Sequence, residues 1–168
     1  MCYLIHLGVP TRQADSVPPG RVPRIDPQRN ASVSEAFGAG FAQFSVTDGG
    51  CSCSLYSEPR DVGDRTAEKR KKYERMGWSR AKIERALADS AGSGEQPRGH
   101  GGLREDIALL VAGFAEQCGE VRLLIHAYRG SFAEERVTAL GTQTIEAARL
   151  RAGGRAELLA DTLYVIRP

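Results

Sequence analysis

Long apolar runs are missing from this chain, and so is the cysteine spacing of a structural metal site. No hydrophobic stretch approaches the ~20 residues that a membrane-spanning helix needs. The opening MCYLIHLGVP has no basic n-region, no long apolar h-region and no small-residue cleavage site, so it does not read as a secretory signal. The expected compartment is therefore the cytoplasm. Four cysteines in 168 residues do not make a disulfide scaffold, and in a reducing compartment they stay free thiols unless a metal or a redox cycle holds them. The catalytic signatures HExxH and GxSxG are absent, as are a Walker A loop, a GxGxxG turn after a strand and a paired-carboxylate motif. A formal net charge of +2 does not by itself imply a nucleic-acid partner.

What remains is a globular composition, 41% hydrophobic and 26% charged, in a chain of normal single-domain length. Residues 2–9, CYLIHLGV, are apolar on both alternating faces, which predicts an inner strand. Residues 10–30 hold five of the eight prolines and predict a long surface excursion, because proline removes backbone donors and disfavours helix before it. FAQFSVT, then Asp-Gly-Gly, then CSCSLY predict a hairpin, since glycine supplies the positive φ of tight turns. Two charged helices are expected over 64–77 and 79–91, and a flexible glycine-rich loop over 92–102. Leu103, Ile107, Leu110, Val111, Phe114 and Cys118 recur at helical spacing and mark the clearest helix. Strands follow at 121–128, 136–140 and 162–167, with a short helix over 142–151. The expected fold is one domain, 1–168, of α/β or α+β class: a mixed sheet with helices packed on it.

Thr47-Asp-Gly-Gly-Cys-Ser-Cys-Ser-Leu-Tyr56 carries the most specific chemistry. Thiolate is a soft ligand suited to zinc or copper(I), and a paired, exposed thiol can cycle redox state. Cys51 and Cys53 sit beside the Gly-Gly turn, and Cys2 would join them if the first strand neighbours the hairpin. Cys2, Cys51 and Cys53 are thus the candidate metal or redox set. The competing reading makes Cys51 and Cys53 small core residues packed against Phe44 and Val46. On a regular strand, i and i+2 lie ~6.6 Å apart, poorly aimed for a shared disulfide. Cys2 and His6 would be ~13 Å apart.

A second reading takes Cys2 as an N-terminal thiol nucleophile, with His6, His100 or His126 as partner; MCYLIHLG resembles the Met-Cys-Gly opening of glutamine amidotransferases, with Tyr3 in place of the glycine. A histidine on an apolar strand, such as His126, is more often a hydrogen-bonded core residue than a catalyst. A third reading uses residues 60–87, where ten Lys or Arg face five Asp or Glu, with Tyr73 and Trp78 close by, as an interaction surface for nucleic acid or protein. The bland alternative is a solvated helix face with i,i+4 ion pairs. It is the one the near-neutral chain favours, leaving a protein partner open and a membrane partner excluded. Helix 103–118 starts directly after the glycine-rich loop and offers only a generic anion site.

The strand Met1-Cys-Tyr-Leu-Ile-His-Leu-Gly8, the Pro-rich excursion and Phe44-Ser-Val-Thr-Asp-Gly-Gly-Cys-Ser-Cys-Ser-Leu55 together resemble a group of small uncharacterised bacterial proteins. That group opens Met-Cys and carries Gly-Cys-Gly-Cys-Gly after a strand. Ser52 and Ser54 stand where the group has glycine. No activity is established for the group, so the resemblance implies only that Cys2, Cys51 and Cys53 act as a set.

Overall fold

A strand that is apolar on both faces belongs where both faces are covered, and β1 (Cys2–Pro10) lies there. In the computed structural model, which describes residues 2–17, 23–58, 62–92, 102–152 and 156–168, β1 pairs antiparallel with β3 (Phe41–Thr47) on one side and β6 (Val121–Tyr128) on the other. The sheet has six strands in the order β2-β3-β1-β6-β8-β7. Its edges are β2 (Arg24–Pro27) and β7 (Gly141–Glu146). Only β7 and β8 (Thr162–Arg167) run parallel. The chain is thus an α/β protein with a mixed sheet.

The alternation of β1 assigns each side chain to a layer. Ile5, Leu7 and Val9 join Phe44, Val46, Leu123 and Ile125 in the main core, under Ile107, Val111, Phe114 and Cys118 of α4 (Glu105–Cys118). Each fully buried Leu, Ile or Phe contributes about 1.5–3 kcal/mol over its exposed state, so this stripe holds the helix. Glu105 and Asp106 occupy the first turn of α4, where the helix dipole favours them, and Gly119 closes it at φ 79° with its N–H on Ala115. On the opposite face Leu4, Leu124 and Tyr128 meet Val33 and Phe37 of α1 (Ala31–Phe37). Asn30 caps α1 by accepting from the Val33 N–H.

Contacts divide the chain into two compact units: Met1–Glu58 with Gly102–Pro168, and Pro59–Gly101. In the second, α2 (Val62–Arg75) and α3 (Arg80–Gly92) form a helical hairpin that turns at Gly77, φ 72°. Among the described residues no helix is long and apolar enough to cross a membrane.

Four local expectations change. The 10–30 excursion holds a 3-10 turn at Thr11–Ser16 and the edge strand β2; Pro27 is tolerated because an edge position need not donate. The Asp48–Cys51 turn closes at Gly49 and Gly50, φ 73° and 116°, but CSCSLY does not run on as a strand. The Leu55 and Tyr56 N–H groups both turn back to the Ser52 carbonyl at 2.9 Å, leaving only β4 (Tyr56–Ser57), which pairs with β5 (Gly102–Leu103). Residues 136–140 form a loop, and 142–151 splits into β7 and a short α5 (Ala147–Arg151), because Thr142, Thr144 and Ile145 find partners on β8. In addition, α1 forms over Ala31–Phe37, a segment with no long apolar stripe for which no element was expected. Of the 92–102 loop, residues 93–101 lie outside the described residues, and Gly102 belongs to β5.

Candidate functional site at the N-terminal end of β1

Where β3 ends, the chain does not leave β1. Ser52 takes over as its partner: its N–H donates to the Tyr3 carbonyl at 2.8 Å, and its hydroxyl accepts from the Ile5 N–H at 2.9 Å while donating to the Val46 carbonyl at 2.6 Å. Ser52 is fully buried. A glycine here could make the first of these bonds and neither of the others.

The register of Ser52 brings the next residue to the end of the strand. Cys53 Sγ accepts from the Tyr3 N–H at 3.3 Å. That nitrogen is about 2.4 Å from Cys2 Cα across the peptide unit, so the Cys53 sulfur sits within about 5.7 Å of Cys2 Cα. Both Cys2 and Cys53 are exposed, Cys51 is half-buried in the turn, and all are free thiols. Neither Cys51 nor Cys53 belongs to the core that Phe44 and Val46 help build. Cys118 does, and burial pushes its thiol up from the ordinary value, with nearby Arg12 opposing. Among the described residues, no three His, Cys, Asp or Glu side chains are grouped so as to hold one metal ion.

The histidines lie on the α1 face of the same strands. Cys2, Leu4 and His6 stand opposite Tyr128, His126 and Leu124. His6 is fully buried and uses both ring nitrogens: Nε2 meets Tyr128 Oη at 2.8 Å and Nδ1 meets Gln43 Nε2 at 3.1 Å. It therefore has no nitrogen left for the thiols. Burial pushes its pKa down to about 3, with the charge of His126 acting the same way. Burial likewise raises the Tyr128 phenol, reinforced by the charges of Glu135 and Asp161.

His126 is the hydrogen-bonded strand histidine its surroundings in sequence suggested. Its Nδ1 meets Asp161 Oδ1, and its Nε2 meets Glu135 Oε1 at 3.3 Å. Both carboxylates are fixed in turn. Glu135 Oε2 accepts from the N–H groups of Arg129 and Gly130 at 2.9 and 2.7 Å, and these bonds, ahead of the His126 contact, hold the Glu135 carboxyl below the usual range. Asp161 is the one non-glycine residue with positive φ among the described residues, at 57°, a conformation aspartate tolerates better than most. Its backbone bonds Ile125 and Leu140. The pair clamps the imidazole and ties the 129–140 loop to β6.

Sequence reasoning missed Ser52, Gln43 and Asp161, because each works through a partner distant along the chain, and Glu135, because its partners Arg129, Gly130 and His126 meet it through a loop with no periodic pattern. His100 lies outside the described residues. No protein-family model, no curated protein and no solved structure matches the chain.

Proposed function

We propose that the protein is a thiol–disulfide redox protein of the bacterial cytoplasm whose working pair is Cys2 and Cys53. One observation carries this: the 3.3 Å contact from the Tyr3 N–H to Cys53 Sγ, which joins the second sulfur to the peptide bond of the first, with both side chains exposed. The chemistry is thiol exchange. One protein thiolate attacks a sulfur of a small-molecule disulfide and expels one thiolate. The other protein thiolate then attacks the protein-bound sulfur and expels the second. Two protein thiols lose two electrons and two protons, and the small disulfide becomes two thiols. Cys51 is a bystander in the turn.

The test is intact mass and peptide mapping after equilibration with glutathione disulfide. Wild type and Cys51→Ser should lose two hydrogens and map to a Cys2–Cys53 link, whereas Cys2→Ser and Cys53→Ser should stop at a glutathione adduct. A Cys51–Cys53 link, or adducts alone in the wild type, would overturn the assignment. Stoichiometric copper(I) or zinc on protein purified without chelator would move the function from redox exchange to metal binding.

A further inference from the structure

The helical hairpin of residues 62–92 carries a concentrated charge. Residues 69–85 hold eight Lys or Arg and two Glu, a net of +6, against +2 for the entire chain. A solvated face laced with i,i+4 ion pairs would neutralise such a run. The described side chains do not do this. The two i,i+4 pairs open to Glu74 and Glu84 are with Arg70 and Arg80, and neither closes. Glu84 instead crosses to Arg70 of the other helix, at 2.5 Å. Among the described residues, Lys69, Lys71, Lys72, Arg75, Arg80 and Arg85 make no ion pair (the salt bridges there reduce to Arg70–Glu84), and all six are exposed.

The hairpin is also braced. Tyr73 and Trp78 stack across the turn, with centroids 4.6 Å apart and planes at 3°, and Lys82 Nζ sits 4.1 Å above the Trp78 ring. With Arg70–Glu84 bridging the helices, the cations stand on a fixed frame.

We infer that this hairpin is a sequence-independent binding surface for the phosphate backbone of nucleic acid. Lys69 to Arg75 spans about 9 Å of helix axis and carries four cations outside the Arg70–Glu84 bridge, Lys69, Lys71, Lys72 and Arg75. Over the same length a duplex presents about five negative charges, one per ~1.7 Å. The match is of charge density, with no base-reading motif, so affinity should not depend on sequence. Insertion at a lipid surface would need an apolar stripe, and from Lys69 to Arg75 the helix offers only Tyr73, which is engaged by Trp78.

The test uses the full chain and fluorescence anisotropy with a short random-sequence DNA duplex, an RNA single strand and poly-glutamate as probes, from low to physiological salt. Nucleic acid should bind at low salt, with log K falling linearly against log salt at a slope of about −4, as for four or five neutralised phosphates. Lys71→Gln/Lys72→Gln/Arg75→Gln should cut the slope by about 3 and the low-salt affinity at least tenfold, while Glu74→Gln leaves binding intact or tightens it. These side chains are exposed, and an unchanged circular dichroism spectrum confirms that each variant folds. DNA against RNA decides which nucleic acid is preferred. Absence of binding at low salt, poly-glutamate binding as tightly as either nucleic acid, or a triple variant with an unchanged slope would each overturn the inference.

Discussion

Gln43 Nε2 faces His6 Nδ1 at 3.1 Å, and the amide cannot turn round, because its oxygen already accepts from the Asn30 N–H and the Ser34 hydroxyl at 3.1 and 3.0 Å. An N–H donor aimed at Nδ1 makes that nitrogen the acceptor of a neutral ring, so Nε2 carries the proton and donates to Tyr128. A second ring proton would set donor against donor in a site closed to bulk solvent.

Stability should therefore fall in mild acid. The His6 pKa lies at about 3 in the fold, lowered first by burial and then by His126, and near 6.5 in the unfolded chain. Between those values the unfolded state binds the extra proton, so lowering the pH favours unfolding. The slope approaches about 1.4 kcal/mol per pH unit below pH ~6 and flattens near pH 3. His6→Gln, which keeps hydrogen-bonding groups and cannot titrate, should lose that slope even if it lowers stability at neutral pH. Urea melts of both proteins at closely spaced pH values decide it; parallel curves would remove His6 as the cause.

Ser52 makes a second prediction, about the segment that carries Cys53. Ser52→Ala strips the partners from the Ile5 N–H and the Val46 carbonyl at once. Leaving buried polar groups unmatched costs about 1–3 kcal/mol each before relaxation. The expected loss is about 2–3 kcal/mol by chemical denaturation, with Ser54→Ala as the contrast: its hydroxyl only reaches Asp48 at an exposed site, at 2.8 Å, and should cost under about 0.5 kcal/mol. A Ser52→Ala protein as stable as wild type would mean that the segment is not held as described.

The sheet was legible where a strand or helix carries its own pattern. The two-faced apolar run of β1, the alternation in FAQFSVT and the helical stripe from Ile107 to Cys118 need no partner to be recognised. What escaped was set by neighbours. Thr142 and Thr144 become strand only because β8 lies alongside, and α1 packs through just two buried residues, Val33 and Phe37. The link from Cys53 to Tyr3 depends on Ser52 replacing β3, a relation fifty residues apart. Reading CSC as a regular strand missed this geometry, because the Leu55 and Tyr56 N–H groups turn back to the Ser52 carbonyl instead of continuing a ladder.

Gly8 offers the last prediction, at the contact between β1 and α1. A Cβ built on Gly8 would lie 2.8 Å from Phe37 Cδ2 and 3.1 Å from two further atoms of that ring. The ring is fully buried against Leu4 and Leu124, and the Phe37 carbonyl is gripped by Arg122, so it cannot swing aside without moving α1. Gly8→Ala should therefore overpack the layer and destabilise by about 1–3 kcal/mol, although alanine ordinarily suits a strand better than glycine. Trimming the obstruction should change the sign of the effect: in a Phe37→Leu background the added methyl meets a smaller side chain, and Gly8→Ala should be neutral or stabilising. The double-mutant cycle measures the coupling directly. Additive losses would show that the ring and the glycine are not in contact, and that α1 is seated on the sheet in some other way.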